Sequence, residues 1–373
     1  MAARQRLVLV GAGHAHAEVL RRFAQQPVSD VDLVLVSPIA QAPYSGMMPG
    51  WLGGRYAWED CCIDFAALAA AAGARWVQDE VVALDAAQRL LALASGQTLQ
   101  TDFVALNIGS TVLAPEPTPG QPLILPTRPL TALRERTEHL LTALSARHTQ
   151  TPLRVVGVGA GAAGFEMLLG LQARLAAQGV VMQSTLTTRS GNFLPGLSSP
   201  ARWLALRTLR QRRVALRSRF DAATLGAGAL LDAKGGELPA DVVLWATGGV
   251  AHAWLAQSAL AVDARGFVQV DATLRSISHP WLFAVGDCAS FTPQALPKSG
   301  VFSVRMGPVL ANNLHAMLRA QPPAVYQPQR RFLVLLNTGD GRAIASRGAL
   351  GWQDRWVMRW KDRIDRDFLD RYR

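Results

Sequence analysis

Short apolar runs that end in glycine, each followed by a longer amphipathic run, recur along the chain. LVLVGAG at 7–13 leads into HAHAEVLRRFAQ, and RVVGVGAG at 154–161 leads into AAGFEMLLGLQARLAAQG. A Val/Leu-rich run closed by glycine reads as a buried strand, and the run after it reads as a helix. Each unit continues with another apolar strand, VDLVLVSP at 31–38 and STLTTR at 184–189, and closes on a strand that ends in glycine, DFVALNIGS at 102–110 and VVLWATGG at 242–249. A fifth element, WLFAVGDCA at 281–289, follows after the second unit has closed. Strands alternating with helices predict an α/β protein with two Rossmann-like domains, built alike as in an internal duplication.

The glycines specify chemistry. Gly159, Gly161 and Gly164 complete a Gly-x-Gly-x-x-Gly pattern, which provides a tight turn, close backbone approach to a diphosphate and close helix packing. The helix that follows presents free N–H groups and its positive dipole end to the anion. The first loop has Gly11 and Gly13 but carries His16 in place of the third glycine, which predicts looser helix–strand packing. One such loop is weak evidence; two in matching contexts make a strong case for two nucleotide sites. The first-site candidates are Gly11, Gly13, His14, His16, Ser37 at the end of the second strand, and Gly109. Those of the second are Gly159, Gly161, Gly164, Arg189 and Gly248.

Composition narrows the field. The 373 residues suffice for two or three cores, and 50% of them are apolar, so a folded globular protein is expected. The net charge of +11 suits nucleic acid, anionic lipid or a phosphorylated ligand, but no helix-turn-helix, zinc-finger or RNA-recognition signature is present, and no nucleic-acid partner is expected. Three cysteines, Cys61, Cys62 and Cys288, give neither a disulfide framework nor a zinc spacing and fit a reducing, cytoplasmic setting; no metal is expected. The first strand begins too early to leave room for a signal peptide, and no apolar run approaches the ~18 residues of a spanning helix.

The order of these motifs over residues 5–320 resembles the two-dinucleotide flavoproteins of the pyridine nucleotide–disulfide oxidoreductase superfamily. That resemblance implies FAD on the first loop and NAD(P)H on the second. It implies that the returning Gly286-Asp287 holds the flavin's ribityl chain through Asp287. Disulfide reductases of that superfamily carry two cysteines four residues apart, absent here. PKSGVFSVRMG at 297–307 is similar to the Pro-Lys-Thr-Gly segment that opens the flavin-facing helix of sulfide:quinone oxidoreductases. It departs from the type II NADH dehydrogenase pattern, with Val301 and Arg305 where two glutamines would stand. A helix starting near Gly300 and Val301, with Lys298 beside it, would stabilise the anionic reduced flavin, which makes Lys298 the catalytic candidate. Together with GAGHAH, PYSGMMPG at 43–50 and RFLVLLNTGDGRAIAS, the chain is most similar to the flavoprotein module found fused to selenophosphate synthetase. That suggests a link to selenium metabolism.

The expected organisation is a discontinuous FAD domain at 1–125 and 251–325, an inserted NAD(P)H domain at 126–250 and a C-terminal cap at 326–373. The expected reaction passes hydride from NAD(P)H to FAD, then electrons to a quinone or another small acceptor. An FAD-retaining regulatory module without turnover and a flavin monooxygenase remain as alternatives. Thr188-Arg189 stands where an NAD-specific fold usually places an acid, so nothing repels a 2′-phosphate and Arg189 could bind one. In the tail, Trp352, Trp356, Trp360, Ile364 and Phe368 fall at four-residue spacing with basic residues, Lys361 among them, on the flanks. This reads as one helix that either lies on a membrane surface, at the inner face, or packs over the flavin or against a second subunit.

Overall fold

The computed structural model describes residues 4–145, 151–329 and 332–373. In the first unit, β1 (Gln5–Val10) passes through Gly11 into α1 (His14–Gln25), followed by β2 (Val31–Val36), β3 (Arg75–Val77) and β4 (Phe103–Leu106). In the second, β5 (Leu123–Pro126) precedes β6 (Leu153–Val158), α2 (Ala162–Ala177), β7 (Met182–Thr188), α3 (Ser199–Gln211), β8 (Val214–Ser218) and β9 (Val242–Trp245). The chain then returns through β10 (Leu282–Ala284) to α4 (Gly300–Leu318).

Two five-stranded parallel sheets result, in the orders β10-β4-β1-β2-β3 and β5-β9-β6-β7-β8. β1 and β6 sit at the centre of their sheets, and this places the loop after each one in the crevice at the strands' carboxyl ends. The β5 strand straddles the expected 125/126 boundary and pairs wholly within the second sheet. Each unit also carries a three-stranded antiparallel meander, at 81–100 and 222–239, so the likeness of the halves extends beyond the loops. The central strands read as unbroken apolar runs because both faces are covered: Leu7, Val8 and Leu9 in β1 and Val242, Val243 and Leu244 in β9 are buried.

The tail departs from the single expected helix. Residues after 331 form an antiparallel sheet of β11 (Val334–Asn337), β12 (Ala343–Arg347) and β13 (Leu350–Asp354), and only then α5 (Arg355–Leu369). Trp352 therefore lies on a strand. Asp354 ends it and caps the helix by accepting the Trp356 N–H. The four-residue stripe is not the packing face either. Each four-residue step turns about 40° further round a helix, so Trp356 and Ile364 face solvent while Phe368 has rotated into the core. The buried face is Val357, Met358, Lys361, Asp365, Phe368 and Leu369; Lys361 and Asp365, expected among the solvated charges, pair there at 2.8 Å.

The cap touches both units. On the second, Ser198 donates its N–H to Ser346 Oγ and its hydroxyl to the Leu350 carbonyl. On the first, Tyr56 donates its hydroxyl to Asp362, and Lys361 donates to the Gly46 carbonyl at 2.7 Å. Among the described residues, no helix is long and apolar enough to cross a membrane.

Candidate functional site

The two glycine loops differ in a way their sequences only partly announce. Gly11 and Gly159 both take positive φ, +93° and +104°, to turn the chain from strand to helix. A Cβ on Gly161 would meet nothing within 4 Å, whereas one on Gly164 would collide with the Gly159 carbonyl. Gly161 thus leaves room for a ligand, and Gly164 lets α2 close onto its strand. In the first loop, a Cβ on Gly13 would run into the Asn107 side chain, so that glycine answers to a protein neighbour as well. His16 fits where the third glycine was expected. It is fully buried, its Nδ1 is 2.7 Å from the Gly11 carbonyl oxygen, and burial lowers it to about 4, so it is neutral at physiological pH.

His14 opens α1 and faces the crevice. It meets Tyr44 and Phe368 edge-on at 5.2 and 6.0 Å, and burial lowers it too to about 4. Gly300 lies beside it: a Cβ there would stand 3.7 Å from His14 Cε1. The first turn of α4 therefore starts beside His14, with Val301 exposed and no side-chain cap from Ser299. Gly286 turns the chain with φ +69°, and Asp287 beside it is held by Arg128 at 2.9 Å, with the Ser110 hydroxyl 3.5 Å away. Gly109 and Gly248 end their strands with open space where a side chain would stand.

Other candidates lie elsewhere or are engaged. The Ser37 hydroxyl donates to the Ile39 carbonyl at 2.9 Å. Lys298 donates in a short hydrogen bond to the Ala289 carbonyl, and its ammonium sits 3.8 Å above the Phe267 ring. Burial lowers its affinity for a proton, while Cys288, Asp287 and Asp263 pull the other way. Arg189 is exposed at the end of β7, beyond a buried Thr188, and makes no ion pair among the described residues. The three cysteines are free and buried, and burial pushes Cys61 up to about 12 and both Cys62 and Cys288 to about 11, which leaves them protonated. No cluster of metal ligands occurs among the described residues.

Sequence reasoning missed Asn107, Arg128 and a buried charge cluster. Glu166 stands two residues after Gly164 and accepts the Asn337 N–H at 2.7 Å, so it joins α2 to the cap. It is half-buried, and burial pushes its carboxyl up to about 7, against the attraction of Lys361. Asp365, paired with Lys361, also lies beside the Tyr44 hydroxyl, and burial with that carboxylate drives the phenol's pKa far up. An acid inside an apolar helix and a Lys–Asp pair at i, i+4 were the available signals.

The Glu166 carboxyl makes the cap's attachment pH-dependent. Its folded pKa lies above the unfolded value, so its contribution is intact below about pH 4.3 and is lost as pH rises through 7. In ligand-free protein, urea unfolding should show Glu166→Gln matching the parent near pH 4 and exceeding it by about 1 to 3 kcal/mol at pH 8, with the residue's partial exposure reducing the full effect. Parallel stability curves for the two proteins would refute this.

Known proteins share this arrangement. The family model for pyridine nucleotide-disulphide oxidoreductases matches residues 5–307. An NADH dehydrogenase-like protein of Mycobacterium tuberculosis is 28% identical over 235 residues, 62% of this chain and 59% of that protein. The chain thus spans somewhat under two thirds of that relative's length. Among solved structures, the sulfide:quinone oxidoreductase of Aquifex aeolicus superposes with a TM-score of 0.80 at 17% identity, covering 99% of this chain and 91% of that one. NDH2 of Plasmodium falciparum, solved with NADH, gives 0.79 at 11% identity, covering 99% and 97%. At such identities the structures speak to the fold, and the family match over most of the chain carries the assignment: this protein belongs to the pyridine nucleotide-disulphide oxidoreductase family.

Proposed function

We propose that the protein is an FAD-dependent NAD(P)H oxidoreductase of the NADH dehydrogenase-like kind. The observation that carries this reading is the pair of strand–glycine–helix loops in one fold, with Gly161 open to a ligand and the α1 and α4 N-termini facing one crevice. FAD, when bound, supplies two-electron chemistry, taking hydride from the nicotinamide and passing electrons on. The chain's residues bind and orient. The N–H groups of Gly13 and His14 would hold the flavin nucleotide's diphosphate, and Asp287, aligned by Arg128, would hold its ribityl hydroxyls. The first turn of α4, at Gly300 and Val301, presents its positive end to the ring. His14, Tyr44 and Phe368 wall the crevice against water. Lys298, turned to the Ala289 carbonyl and the Phe267 ring, braces this end of the site.

Gly161→Val separates the two nucleotide sites. Because its surroundings are open, the variant should fold and melt like the parent and purify yellow. Under anaerobic conditions its flavin should then no longer bleach with NAD(P)H. A parent protein that keeps FAD but is never reduced by either coenzyme would sink the oxidoreductase reading in favour of a non-catalytic FAD module.

The coenzyme reading rests on Arg189, an exposed cation with no carboxylate before it. It favours NADPH through a charge-assisted contact with the 2′-phosphate. Arg189→Ala should raise KM about ten- to a hundredfold for NADPH and leave NADH unchanged. Equal effects on both coenzymes would refute it.

The acceptor we favour is a quinone, reached from a membrane surface. The outward half of α5 exposes Trp356 and Ile364, with the Trp352, Trp356 and Trp360 rings stacked in a row at 6.3 and 6.1 Å. Arg355, Arg359 and Arg363 run beside them, exposed and without ion pairs among the described residues. Rings for the headgroup layer next to cations for anionic lipid suit peripheral attachment. The link to selenium metabolism rests on the motif resemblance alone. The protein should co-sediment with anionic liposomes at low salt, and Trp356→Ser/Ile364→Ser should abolish this without changing the melting temperature. A parent that stays in the supernatant would rule membrane attachment out.

A further inference from the structure

The duplicated units let one loop serve as a control for the other. Gly11 and Gly159 each donate an N–H to the neighbouring strand, at Val36 and Thr187, at 2.8 and 3.0 Å. Asn107 and Ala246 each donate to the central strand, at Val10 and Val158, at 2.9 and 2.8 Å. Asn107 therefore occupies in the first unit the place of Ala246 in the second, as His16 occupies that of Gly164. In the second loop the helix closes directly on the strand, with the Gly159 carbonyl and Ala246 Cβ where a side chain on Gly164 would go. In the first, both positions have been enlarged together.

The enlarged pair makes specific bonds. Asn107 is buried, and its Oδ1 accepts the Ala15 N–H at 2.9 Å and the His16 N–H at 3.4 Å. The Ala15 N–H is a free donor of the first turn of α1, which otherwise has no side-chain cap, while the His16 N–H is shared with the Gly13 carbonyl at 2.9 Å. The Asn107 amide donates to the Val285 carbonyl at 3.1 Å and to Ser303 Oγ at 3.4 Å. One side chain thus ties the α1 N-terminus to the turn before Asp287 and to the first turn of α4. The N–H groups of Gly13 and His14 have no protein acceptor among the described residues.

Resting on the FAD reading above, we propose that Asn107 is the positioning residue of the flavin site, and that it replaces the close packing of a third glycine in concert with His16. It caps the inner N–H groups of α1, leaves the outer two for the diphosphate, and sets that end of the cofactor relative to the helix facing its ring. The first loop is thereby ordered before the cofactor arrives and suits a resident group. The second loop, without such a bracket, suits a coenzyme that exchanges.

The test is a double-mutant cycle on deflavinated protein titrated with FAD, read by flavin fluorescence quenching and by the reduction potential of the reconstituted protein. Asn107→Ala should weaken FAD binding about ten- to a hundredfold, because it leaves the buried Ala15 N–H unpaired and frees α1 from Val285 and Ser303, and should shift the potential as the α4 turn loosens. His16→Gly should also weaken binding. The double variant His16→Gly/Asn107→Ala rebuilds the glycine–alanine pair of the second loop and should recover affinity and potential to near the parent values. If Asn107→Ala does not fold, the double variant is read against the parent alone, with the same recovery expected. Parent-like affinity and potential in Asn107→Ala, or a double variant as weak as the two single effects multiplied, would overturn the proposal. A parent that binds no FAD would instead overturn the reading on which it rests.

Discussion

Two helices begin at the carboxyl edges of two parallel sheets with outer backbone N–H groups that find no acceptor among the described residues, and this constraint organises the molecule. An unpaired buried donor is costly, so each helix start requires an anion, water or a side chain. The sheets bring the need about: a parallel strand that passes straight into a helix needs a tight turn, and Gly11 and Gly159 supply it with backbone angles that other residues rarely adopt. The returning segment with Asp287 and the helix from Gly300 are then placed around the first of these ends. The site is less a set of reactive side chains than a set of dipole ends and glycines aimed at a cofactor, which supplies the hard chemistry itself.

This explains which features were legible. Buried parallel strands leave unbroken apolar runs, and the turns after them demand glycine, so the two sheets and both loops can be read from local pattern. Gly159, Gly161 and Gly164 announce themselves because their role is set by neighbours close in sequence or by the ligand. Asn107 could not be read in this way. Its partners at Ala15, Val285 and Ser303 are remote along the chain, and only the folded topology brings them together. The same holds for Arg128 on Asp287 and for Glu166 on the cap. His16 was visible as an exception, but the reason it is tolerated lies in strand β4.

The tail shows the limit of periodicity in another way. Four-residue spacing picks out a stripe that drifts round the helix, and the drift leaves Trp356 and Ile364 outside while it carries Phe368 into the core. What fixes α5 is the pairing of Lys361 with Asp365 and with the Gly46 carbonyl, a charge pair whose desolvation must be offset by good geometry and added hydrogen bonds. Asp365 lies one turn along the same helix, so the bond that sets the register of α5 against the first unit is the one from Lys361 to the Gly46 carbonyl.

That register matters because the cap is the element that touches both nucleotide units close to the crevice. Phe368 and Lys361 reach the loop at Tyr44 and Gly46, while β11 reaches Glu166 on the helix after the second glycine loop. A shift of α5 would therefore move the wall of the first site and the anchor of the second together. The exposed side of the same helix carries Trp356, stacked between Trp352 of β13 and Trp360, with Arg355, Arg359 and Arg363, which make no ion pair among the described residues, so whatever docks there meets an element already bonded to both units.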